Sequence, residues 1–67
     1  MPYLRSSAIS RAEYIKQTAT LQIWFVESGG PYDFYGVPES VYLGLINASS
    51  PGTYYNNYIR DRYRSNR

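Results

Sequence analysis

A chain of 67 residues with neither cysteine nor histidine has to hold itself together by side-chain packing alone. Disulfides and the common zinc sites, the usual staples of domains this small, are both excluded. A domain of this size buries only about 60% of the surface its unfolded chain exposes, so each buried group must be large. The chain supplies nine Tyr, two Phe and one Trp, and each such side chain buries roughly 150–250 Å². The expected result is one domain over residues 6–64, with an aromatic core completed by Ile, Leu and Val, and flexible termini at 1–5 and 65–67.

The same absences bear on chemistry. General acid–base catalysis at neutral pH most often uses His, and nucleophilic catalysis needs Ser, Cys, Thr or Lys beside a base. Five carboxylates are scattered along the chain without a close pair for a glycosidase or a metal. Gly29-Gly30 is a turn signal and lacks the spacing of a phosphate loop. This composition points to a binding module rather than an enzyme, with no catalytic residue, metal or cofactor. No stretch approaches the ~20 apolar residues of a membrane-spanning helix, and no leader-like run opens the chain. A cytoplasmic protein without membrane contact is the expectation.

Hydrophobic periodicity predicts the order β-β-β-α-α. A short strand is expected over Ala8–Ile15, with Ile9 and Ile15 on one face and Ala8, Ala12 and Tyr14 on the other. Over Thr20–Glu27, Leu21, Ile23 and Phe25 alternate with Gln22, Trp24 and Val26, the clearest strand signal in the chain. Ser28-Gly29-Gly30 suits a reversal, returning as a strand over Tyr32–Tyr35. Gly36-Val37-Pro38 reads as a strand-to-helix corner, with Pro38 opening a helix that carries Val41, Leu45 and Ala48 on one face. Ser50-Pro51-Gly52 stops that helix and caps the next, expected to run to Arg64 and to align Asn56, Arg60 and Arg64. The fold class is α+β: a three-stranded antiparallel meander followed by two helices packed on one face.

Two blocks of residues carry a family resemblance. One is Tyr35-Gly36-Val37-Pro38-Glu39-Ser40-Val41-Tyr42 with Leu45 and Ala48; the other is Ser50, Gly52, Tyr54-Tyr55-Asn56, Ile59-Arg60 and Tyr63. With Ser6-Ser7-Ala8-Ile9 and Leu21-Gln22-Ile23-Trp24-Phe25, they make the chain resemble the KTSC family from about Ser6 to Tyr63. That family consists of short domains similar to a C-terminal segment of some lysyl-tRNA synthetases. The resemblance implies a small α+β domain of bacterial or phage genomes, with a suggested role in nucleic-acid binding. Two departures stand out. Ala12-Glu13-Tyr14 lacks a Gly that members often place there, and Tyr55 replaces a usual Phe, adding a hydroxyl that needs a partner.

Charge divides unevenly within a net +2. Residues 21–52 carry only acids, while the last fifteen residues hold Arg60, Arg62, Arg64 and Arg67 against Asp61. Arginine suits bidentate phosphate contact and stacking on bases. The leading expectation is nucleic-acid binding, RNA or single strands, through Arg60, Arg62, Arg64 and Arg67. Asn56 would share their patch, Tyr54 or Tyr58 would stack on a base, and Arg11 or Lys16 would join from the sheet. On the bland reading the basic tail serves solubility, Asn56 ties its helix to the Gly36 corner, and Arg60 pairs with Glu39 or Asp33. The alternative function is a protein-interaction module, such as a phage or mobile-element accessory protein. It would use Trp24 and Val26 on an open sheet face, with a homodimer as one form.

Overall fold

Along the chain come three strands, β1 (Ile9–Ile15), β2 (Thr20–Phe25) and β3 (Gly29–Phe34), then two helices, α1 (Glu39–Asn47) and α2 (Pro51–Tyr58). The molecule is described here from a computed structural model that covers Leu4 and residues 6–67. The flexibility expected of residues 1–5 therefore falls mainly outside the described residues. The sheet order is β1-β2-β3, antiparallel throughout, as expected of a meander.

On β2 the alternation is as expected: Leu21, Ile23 and Phe25 are buried, and Gln22 and Trp24 are half-buried on the opposite face. β1 differs from its simple period. The register slips between Ile9 and Arg11, where one extra residue enters the strand. Ile9 therefore joins Ala12 and half-buried Tyr14 on the helix side, and Ile15 is left exposed. Ala12-Glu13-Tyr14, where the resemblance leaves out a Gly that members often carry, lies inside this strand. The reversal between β2 and β3 also comes earlier than expected, in Val26-Glu27-Ser28, so that Gly29 already pairs with Phe25.

Gly36 has a φ of +68°, a conformation that side-chain-bearing residues rarely adopt, and it turns the chain from β3 toward α1. Buried Val37 pins this corner: its N–H donates to the Ala19 carbonyl at 2.9 Å, and its own carbonyl accepts from the Tyr14 hydroxyl at 2.6 Å. Pro38 sits just before the first helical residue. Its carbonyl accepts from the N–H of Val41 at 3.0 Å, so its missing N–H costs nothing. Leu45 of α1 is fully buried. Tyr42 stacks on Tyr14, with ring centres 5.3 Å apart.

Ser50 precedes α2 with Pro51 in the first turn, as expected, but its hydroxyl bonds the Thr53 hydroxyl at 2.9 Å rather than a backbone N–H. The two helices meet where Tyr54 crosses Gly44, in space that a Cβ on Gly44 would occupy. Tyr55 and Ile59 complete a core of Ile9, Ala12, Leu21, Ile23, Phe25, Phe34, Val37 and Leu45. The Tyr55 ring stands edge-on to Phe25 and Phe34 at 5.1 and 5.8 Å, a favoured arrangement of aromatic pairs.

The helix expected to reach Arg64 ends at Tyr58. The N–H groups of Ile59 and Arg60 both converge on the Tyr55 carbonyl, and Asp61 takes a positive φ of 61°, reversing the chain. The segment beyond it returns along the outer edge of β3. The Tyr35 N–H donates to the Arg64 carbonyl at 2.8 Å, and Ser65 bridges Phe34. The Asn66 N–H donates to the Asp33 carbonyl at 3.1 Å, while the Asp33 N–H donates to Asn66 Oδ1 at 2.8 Å. Residues 65–67, read from the sequence as a flexible end, thus lie hydrogen-bonded against an edge strand whose N–H and C=O groups need partners. This return outweighs another helical turn rich in Arg and Asn, with few apolar groups to bury.

Candidate binding groove

The return of the C-terminal segment leaves a groove of about 660 Å³ between it, α2 and the β2–β3 turn. Its floor includes Phe25, Phe34 and Tyr55, and its walls carry Ser7, Asn56, Arg60, Tyr63 and Arg67, with Glu27 and Asp61 as the acids. Its volume lies in the range of small-ligand sites, about 300–1,000 Å³. Among the described residues no cluster of three His, Cys, Asp or Glu side chains could hold a metal ion.

Arg67 is the most constrained cation of the groove. Its guanidinium carbon lies over the Phe25 ring, 3.7 Å from its centre, and 5.4 Å from the centre of Tyr32. Its Nη1 donates to the Tyr55 hydroxyl at 3.4 Å. The hydroxyl that distinguishes Tyr55 from the Phe of the resemblance thus meets its partner here. Arg60 is exposed, with Asp61 3.9 Å away, a loose surface pair that solvent screens. The partners expected on the bland reading are engaged elsewhere: Glu39 with Lys16 at 3.8 Å, and the Asp33 carboxylate with Gln22 Nε2 at 3.2 Å. Asn56 is exposed on the groove wall and leaves the Gly36 corner to Val37, Ala19 and Tyr14.

The remaining sequence-chosen residues divide. Arg62 and Arg64 are exposed but do not line the groove; Arg62 Nε donates to the Asn57 carbonyl at 3.0 Å. The expected helical line of Asn56, Arg60 and Arg64 is broken at Tyr58, and the turn-back brings Arg67, rather than Arg64, beside Asn56 and Arg60. Tyr54 is half-buried across α1, its ring centre 4.7 Å from that of Tyr58. Burial, with Tyr58 and Tyr63 nearby, raises its pKa. Tyr54 is thus committed to packing, whereas Tyr58 remains exposed.

The open sheet face is more polar than Trp24 and Val26 alone suggested. The Arg11 guanidinium lies 4.3 Å from the centre of the Trp24 ring and also pairs with Glu13 at 3.2 Å. Gln22 bonds Asp33 across the same face, and exposed Val26 lies in the turn. Sequence reasoning missed Phe25, Tyr55 and Ser7 as groove residues. The signal was present: Ser7, Ala8, Ile9, Gly52, Tyr55, Asn56, Arg60 and Tyr63 carry the family resemblance and line this groove.

Comparison with known proteins fits this picture. A curated relative, the lysine–tRNA ligase of Nostoc punctiforme, is 38% identical over 58 residues. That match takes in 87% of this chain and 10% of the ligase, so the chain spans about a tenth of that relative's length. The crystal structure of a KTSC domain protein from Yersinia pestis superposes with a TM-score of 0.88 at 29% identity, covering 92% of this chain and 86% of that one. The model of the KTSC domain family matches residues 5–63, and the chain belongs to that family.

Proposed function

We propose that this domain is a non-catalytic module that binds single-stranded nucleic acid, RNA foremost, in the groove between α2 and the returning C-terminal segment. The observation that carries this reading is the convergence of Asn56, Arg60 and Arg67 on one groove whose floor is built from core rings. Cations contact phosphates, amides and hydroxyls reach base edges, and guanidinium planes accept stacked bases. That a relative named for a tRNA substrate contains a segment like this chain supports the same reading. The alternative, a protein-interaction module using Trp24 and Val26, has less to use, because Arg11 covers the Trp24 ring.

With few phosphate contacts the affinity is modest and falls with salt, by about 0.7 log units per contact for each tenfold rise in salt. Titration of the domain with a labelled single-stranded RNA at two salt concentrations tests this. Binding that weakens with salt and is lost in Arg60→Gln/Arg67→Gln supports the proposal. Salt-independent binding, or binding that survives that double change, refutes it.

A further inference from the structure

We infer that the group this groove selects is a terminal phosphate, a strand end rather than an internal stretch, and that Arg67 is the residue that receives it. The inference rests on the nucleic-acid reading above and adds the ligand's chemistry. Its first ground is the state of Arg67. The Phe25 ring covers its guanidinium carbon at 3.7 Å and the Tyr55 hydroxyl accepts from Nη1. Among the described residues the ion pairs are Arg11–Glu13, Lys16–Glu39 and Arg60–Asp61, and none neutralises Arg67. A guanidinium has five N–H donors in a rigid fork. Held over a ring and bonded through one nitrogen, it keeps the rest for a planar pair of phosphate oxygens, with little side-chain entropy left to lose.

The second ground is the charge around it. Arg60 and Arg67 share the groove with Glu27 and Asp61. An internal strand would carry several successive phosphates past those carboxylates, and like charges brought together disfavour the wrong ligand. A strand end brings a single terminal phosphate to the Arg67 fork and turns away, instead of threading a series of phosphates past both acids. The third ground is size: about 660 Å³ is the scale of a nucleotide-sized ligand rather than an extended track.

The test uses one short single-stranded RNA in three forms: phosphorylated at one end, at the other, or at neither. The expected result is about tenfold tighter binding of one phosphorylated form than of the hydroxyl-ended strand. That preference should shrink below about pH 6, as the monoester takes up its second proton. Arg67→Gln and Arg67→Lys should both erase the preference, and Arg62→Gln should keep it. Tyr55→Phe, which removes only a hydroxyl, should weaken it with the fold intact by circular dichroism. Equal affinity for all three forms, or a preference that survives Arg67→Gln, overturns the inference while the groove remains a nucleic-acid site. Failure of every form to bind removes both proposals.

Discussion

The guanidinium of Arg67 rests 3.7 Å from the centre of the Phe25 ring, joining the last residue of the sequence to the end of the central strand. This contact closes one side of the groove, and Asn66 secures it by bonding both the N–H and the carbonyl of Asp33. Asn66→Ala removes the side-chain half of that clamp and should destabilise the domain by about 1 kcal/mol. Amide exchange should quicken at Asp33 and Tyr35, the two β3-side N–H groups that donate to this segment. Unchanged protection at both would mean that the segment does not hold the β3 edge in solution.

Gly44 and Tyr54 set a second test, in which helix propensity and packing have opposite signs. In an open helix Gly→Ala stabilises by roughly 1 kcal/mol. Here a Cβ would displace the Tyr54 ring, and overpacking of this kind costs about 1–3 kcal/mol. Gly44→Ala should therefore lower the melting temperature in the native background and raise it in Tyr54→Ala. Stabilisation in both backgrounds would contradict the close approach of α1 and α2.

Tyr42 and Tyr54 give the pH dependence. Burial raises the pKa of both above the usual 10, Glu13 and Glu39 adding to the effect at Tyr42. A group whose folded pKa exceeds its unfolded value contributes stability below the unfolded pKa and loses it as pH rises through the folded one. The contribution of these two tyrosines to the unfolding free energy should therefore be constant below about pH 10 and fall beyond it. Ultraviolet titration should show a late-ionising component that Tyr42→Phe and Tyr54→Phe each reduce. A late component unchanged by both substitutions, or none at all, would contradict this assignment.

Arg11 and Trp24 test the sheet face. The guanidinium 4.3 Å above the indole shields it from water. Arg11→Ala should increase acrylamide quenching of the single tryptophan and shift its emission to the red, with a stability loss of about 1 kcal/mol or less. An unchanged quenching constant, or self-association through Trp24 in the native chain, would return the protein-interaction reading to the lead.

Most of the fold was legible because its signals are local. Leu21, Ile23 and Phe25 declare a strand by alternation, Gly36 and Pro38 mark a corner, and Ser50-Pro51 marks a helix start. What was hidden depends on contacts far apart in sequence. The slip between Ile9 and Arg11 follows from how β1 meets β2, so periodicity within β1 alone misplaces Ile15. The end of α2 at Tyr58 reflects the free edge of β3, which a helical wheel does not include. The candidate site was legible in the same measure. Arg60, Asn56 and Arg67 were chosen by type, but only the turn at Asp61 brings Arg67 to them and leaves Arg62 and Arg64 outside the groove lining.

Nucleic-acid binding in this groove, as proposed above, is open to direct measurement. The most direct measurement is a two-dimensional NMR titration of the isotope-labelled domain with single-stranded RNA at low salt. Saturable shifts should be confined to the groove: the backbone amides of Ser7, Asn56, Arg60 and Arg67 and the Arg67 Nε–H. They should move little at Trp24, Lys16 and Leu43, and the Arg60→Gln/Arg67→Gln protein should show none. Shifts centred on Trp24, or none at any RNA concentration, would contradict the account.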